Sequence, residues 1–194
     1  SAALYASTTP TLDFRNNILV NTSGHGATGH TVAFRRGTST SLTSYASTSN
    51  NNCFHAGTPG SNNLIFYNVN WADQTIGDFK LRVAPRDALS FSEIPPFADT
   101  VAPAIDVHIQ TNVPSFCEGG ASTITTPAIT TDMDGDDRYP NPGYPDHPSY
   151  PASAPDVGAD EFGGIRNDLT PPVISYQALK NTSVTGNRTL TATI

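Results

Sequence analysis

Three times in its first 70 residues the chain places Asn-Asn directly before apolar residues. These are Asn16-Asn17-Ile18-Leu19, Asn51-Asn52-Cys53-Phe54 and Asn62-Asn63-Leu64-Ile65. The intervals are about 35 and then about 11 residues, too uneven for a simple repeat. The motif still restricts the fold. Asn tolerates a left-handed backbone, so it fits a tight bend between strands, and its carboxamide can bond an equivalent Asn one layer away. Such a bend suits a stack of parallel coils. The plain alternative, Asn-Asn as ordinary loop composition, stays open on these residues alone.

Composition narrows the class. Ser and Thr make up roughly a fifth of the 194 residues, while Lys occurs twice and Glu three times. Such residues favour strands, turns and side-chain-to-backbone bonds over helices. Nine Phe and seven Tyr supply a core, which argues for a folded all-β chain over a disordered one. The net charge of −7 and the scattered basic residues argue against a nucleic-acid surface. The longest apolar run is Leu64-Ile65-Phe66-Tyr67, so no membrane-inserted helix is expected, and no signal-peptide pattern is found in these residues. Cys53 and Cys117 are too few for a disulfide framework, and spacing leaves open whether they are bridged or free.

Along the chain, residues 12–21, 31–36, 49–57 and 62–68 read as short strands between polar turns, with Phe14, Ile18 and Val20 on one face. Residues 73–83 read as one short helix, with Ile76, Phe79 and Val83 on a single side. Residues 103–109 return to strand. From about residue 127 to 166 the composition shifts, with prolines concentrated from Pro127 to Pro155 beside a cluster of Asp and with little apolar periodicity, so this stretch is expected to wrap the surface without building a core. Asp168-Leu169-Thr170-Pro171-Pro172 signals a rigid linker, followed by strands at 173–176 and 189–194.

Two further runs carry a resemblance. Residues 16–21, 32–36 and 73–80, together with Thr-Asp-Met-Asp-Gly-Asp-Asp-Arg at 131–138 and Pro-Asp-Val-Gly-Ala-Asp-Glu-Phe at 155–162, resemble the C-terminal end of right-handed parallel β-helix domains in large secreted proteins of Bacteroidetes-type bacteria. Residues 168–176 with 187–194 resemble the start of the Ig-like module that follows such a helix. The resemblance implies coils over 1–126, a capping segment over 127–166, and a Pro-Pro linker with the first Ig-like strands over 167–194. It also implies a fragment of a longer surface or exported protein, of the kind displayed through the type IX secretion system. The sequence departs from the pattern by an insertion from Tyr139 to Ala154.

The implied function is structural or adhesive, without catalysis. The expected location is extracellular or on the bacterial cell surface. The expected partners are other domains of the same chain, carbohydrate or a neighbouring surface protein. Two alternatives stand beside it: the terminal part of a β-helix polysaccharide lyase or hydrolase, and a filament subunit that completes its sheet with a neighbour's strand.

The candidate chemistry is sparse. Asp132, Asp134 and Asp136 alternate around Gly135, and such a loop can offer oxygens to calcium, the one candidate ion. The glycine is misplaced for an EF-hand and the closing Glu is missing. The competing reading is a turn whose Asp side chains bond backbone N–H groups, with Arg138 pairing Asp160 or Glu161. His25 and His30 lack a third metal ligand. Tyr139, Tyr144 and Tyr150 suit either a carbohydrate-stacking platform or a pin for the long insertion. Asn21, Asn181 and Asn187 head N-glycosylation patterns, and Asp99-Thr100-Val101 resembles a bacterial O-glycosylation site.

Overall fold

A computed structural model describes residues 1–9 and 11–168, and the backbone of 175–176 and 192–193. The described chain is β-rich, with one helix of eight residues. Strands β1 (Ala2–Ala6), β3 (Thr31–Arg36) and β5 (Asn63–Tyr67) form a parallel ladder, with Leu4 opposite Phe34 and Phe34 opposite Phe66. A second parallel pair joins β2 (Ile18–Val20) to β4 (Cys53–His55), and a Cys53–Phe91 bridge extends it by one pass. Between these two lines, Leu12 bridges Tyr45 and Arg15 bridges Asn50, again in parallel. Each pass therefore runs in the same direction as the one beside it. β6 (Ala72–Asp73) closes the edge of β5 antiparallel.

The first two Asn doublets occupy one equivalent bend. Asn16 and Asn51 adopt left-handed φ values of 59° and 57°. The third doublet does not repeat it: Asn63 opens β5 after a tight turn, where its N–H donates to Gly60 O over 3.1 Å. The 35-residue interval is thus a structural offset and the 11-residue interval is not.

The bend also corrects the predicted face. A left-handed residue at 16 breaks the period-two alternation. Phe14 and Leu19 therefore meet in one core, while Ile18 packs into another.

Helix α1 (Ile76–Val83) falls within the predicted helical segment. Thr75 caps it by accepting from Asp78 N over 3.1 Å, and the chain turns out of the helix at Ala84, before Pro85. Its Phe79 sits against Phe34, Phe54 and Phe66, with ring centroids 5.2–6.2 Å apart. Each of these rings is fully buried, and burial contributes about 2–3 kcal/mol per ring.

The second core includes Cys53, Ile109, Cys117, Val157 and Phe162. Two of these belong to the segment expected only to wrap the surface. That expectation fails because residues 156–162 carry few but buried apolar side chains between polar turns. β7 (Phe97–Asp99) and β8 (Asp106–Ile109) pair antiparallel beside this core. Of the predicted C-terminal strands, β9 (Ser175–Tyr176) and β10 (Ala192–Thr193) pair antiparallel, and the rest lies outside the described residues.

Candidate metal centre

The Asp loop is organised by one carboxylate. Asp132 Oδ1 accepts the N–H groups of Asp134, Gly135 and Asp136 over 2.9–3.0 Å. Its Oδ2 accepts Glu161 N over 3.0 Å. Gly135, at φ +92°, supplies the turn. Burial opposes the charge on Asp132, but the main-chain donors outweigh it and hold its carboxyl below the ordinary value. Asp132 is committed to the backbone, and the one set of three metal-ligating side chains among the described residues takes in Asp134 but neither Asp132 nor Asp136.

Asp134 points elsewhere. Its Oδ2 lies 2.7 Å from Nε2 of His108, on strand β8. The Nδ1 of His108 lies 2.5 Å from Asp106 Oδ1. Asp160 completes the group: ligand atoms of His108, Asp134 and Asp160 all lie within 4.8 Å of one another. Asp160 is buried, and its Oδ2 accepts Ile109 N over 3.0 Å. Among the described residues this is the one set of three such side chains.

An imidazole with two carboxylates suits a first-row divalent ion better than calcium, which takes six to eight oxygens. The Asp106–His108 bond is of the kind that orients a ligating imidazole. In the ion-free state the same atoms form a carboxylate–imidazolium–carboxylate chain. Asp134 first, then Asp106, push the His108 pKa up to about 9. His108 and Asp160 carry no local signal in the sequence, because strand β8, the Asp loop and residue 160 meet only in three dimensions.

The group borders a cleft. A hollow of about 390 Å³ is walled by Ile18, Phe97, Val107 and Asp160. A second, of about 320 Å³, is walled by Arg15, Ile124, Asp132 and Arg138. Both reach Asn16, Met133 and Gly158.

The remaining acids serve the fold. Glu161 Oε1 accepts Tyr139 N over 2.9 Å, and Oε2 accepts Asp156 N over 3.0 Å and faces Arg138 Nε at 3.2 Å. Asp156 accepts Gly119 N over 2.6 Å and Phe162 N over 2.8 Å. Of the two expected partners of Arg138, Glu161 is the one it pairs with.

The tyrosines have separate ring partners. Tyr139 packs edge-on against Tyr144 at 5.1 Å, and Tyr150 lies against His147 at 4.8 Å. His25 is exposed and His30 packs on Tyr67 at 5.0 Å, so neither joins a metal set among the described residues. Asn21 is buried with its Nδ2 bonded to Val32 O over 2.9 Å, which leaves its amide committed. Asn181 and Asn187 lie outside the described residues.

Comparison of the chain with protein-family models, with curated proteins and with solved structures found no match.

Proposed function

We propose that residues 1–126 are terminal coils of a right-handed parallel β-helix, that 127–166 close its end, and that the whole is a non-catalytic structural or adhesive segment of a large extracellular bacterial protein. Parallel passes joined by crossovers are almost always right-handed. A stack of coils exposes backbone donors and apolar side chains at its end and needs a cap. Residues 127–166 meet that need: Gly158 N donates to Asn16 O over 2.9 Å and Val157 N to Cys117 O over 2.9 Å.

The single observation that carries the reading is where the carboxylates go. Asp132, Asp156 and Glu161 spend their oxygens on main-chain N–H groups. Groups held this way position backbone and do not transfer protons to a substrate. The partners are other domains of the same chain, carbohydrate or a neighbouring surface protein.

The test is incubation of the purified chain with a panel of neutral and acidic polysaccharides. The reading expects no new reducing ends and no unsaturated uronide. Release of either, abolished by Asp134→Asn or Asp160→Asn, would overturn it in favour of the lyase or hydrolase.

A further inference from the structure

The chain has two cysteines, and the fold brings them together from distant positions. Cys53 begins β4, on the second pass. Cys117 lies in the turn that leads into the closing segment. Both are fully buried, and both belong to the core formed with Ile109, Val157 and Phe162. Their sulfurs reach the same residue: Cys53 Sγ is 3.5 Å from Glu93 O, and Cys117 Sγ is 3.4 Å from Glu93 Oε1.

The main chain around each is pinned. Cys53 N donates to Asn17 O over 2.8 Å, and Cys117 O accepts Val157 N over 2.9 Å. Cys53 is the largest influence on the Cys117 thiol, ahead of burial, and both push its pKa up. A buried thiol held protonated, as at Cys117, is a poor nucleophile, so this one is not built for repeated exchange. In the structure both are thiols.

We propose that Cys53 and Cys117 are a modification site, oxidised to one disulfide that staples the second pass to the turn leading into the closing segment. The two thiols lose two protons and two electrons, and a sulfur–sulfur bond forms. The oxidant is a small-molecule disulfide, which is reduced to two thiols as its own bond breaks. Neither sulfur is accessible once the core has closed, so the exchange takes place while the closing segment is undocked. The bond shortens the unfolded chain's free loop between residues 53 and 117, which stabilises the fold most where the loop is long. Formation of the bond needs only the juxtaposition. Its persistence in the natural setting rests on the proposed location outside the cell.

The test refolds the full chain in oxidised and reduced glutathione, then unfolds it in guanidinium with iodoacetamide and measures intact mass. The expected product takes up no carbamidomethyl group and weighs two hydrogens less than the dithiol. Dithiothreitol in denaturant should restore two alkylations. The oxidised form should melt roughly 5–15 °C above the reduced form. The Cys53→Ser, Cys117→Ser double variant should melt at one temperature with or without reductant. Two alkylations, or glutathione adducts, on a chain that has refolded by circular dichroism would overturn the proposal. So would an oxidised form that melts lower than the reduced one. Because the bond forms in the tube, failure here leaves the extracellular reading standing, and failure of that reading leaves the bond standing.

Discussion

Asn17 and Asn52, 35 residues apart, are joined through one carboxamide oxygen. Asn52 Oδ1 accepts both the main-chain N–H of Asn17, over 2.9 Å, and its Nδ2, over 3.2 Å. The other end of the same side chain donates to Phe14 O over 2.8 Å and to Asp87 Oδ1 over 3.0 Å. Asn52 is fully buried, so these bonds are shielded from solvent. Asn52→Ala is expected to cost about 3 kcal/mol or more, because it strands several buried groups at once. Asn17→Ala removes fewer bonds at a half-buried position and should cost about 1 kcal/mol. Equal losses for the two in urea unfolding would contradict this ladder.

The Asp loop separates a turn from a calcium site. Asp132→Ala removes an acceptor that serves four N–H groups and is expected to cost about 2–3 kcal/mol. Asp136→Ala removes an exposed carboxylate and should change stability by less than about 0.5 kcal/mol. Thermal melts with calcium or with chelator should give the same ranking. A calcium-dependent rise in melting temperature that Asp136→Ala abolishes would restore the three-Asp site.

Gly158 packs residues 156–162 against the first bend. Its φ is +113°, and a Cβ there would lie 2.7 Å from Ile18 Cδ1. Gly158→Ala is expected to cost roughly 1–3 kcal/mol from backbone strain and the clash. Adding Ile18→Val, which removes the clashing methyl, should recover part of that loss and leave the backbone component. The double-mutant cycle in urea reads the coupling.

Glu118 carries a pH dependence of known sign. It is 2% exposed, its Oε2 accepts Gly164 N over 2.8 Å, and its Oε1 has no partner among the described residues. Burial is the main cause of a pKa raised from 4.5 to about 7, opposed by the Gly164 bond and aided by the charges of Glu161 and Asp146. Between those values the folded chain keeps a proton that the unfolded chain has lost. Stability therefore falls as pH rises from 4.5 to about 7, and levels off above. Glu118→Gln should remove this component, so its advantage over the natural residue grows across the window. Parallel melting curves at every pH would contradict the assignment.

How much of this was legible in the sequence differs by element. Helix α1 and strand β3 were readable because their signals are local: one apolar face of Ile76, Phe79 and Val83 for the helix, and a short apolar run between polar turns for the strand. The stacking bend was readable from Asn16-Asn17 and Asn51-Asn52, because few residues other than Asn and Gly hold a left-handed backbone. The same pair at 62–63 misled, since identical residues also suit a turn before a strand. The core role of Val157 and Phe162 was hidden, because an isolated buried residue between polar turns leaves no periodicity. The meeting of His108, Asp134 and Asp160 was hidden for the same reason: three segments far apart in the chain share no pattern.

The central claim is that parallel passes and their cap form one structure. Amide hydrogen exchange tests it most directly, at four donors. Cys53 N and Phe54 N bond across the passes to Asn17 O and Phe91 O, while Val157 N and Gly158 N bond the cap to Cys117 O and Asn16 O. The account expects all four amides to be strongly protected and to open together, with one free energy equal to that of global unfolding. Unstructured exchange rates at Cys53 and Phe54, in a chain whose other core amides are protected, would contradict it.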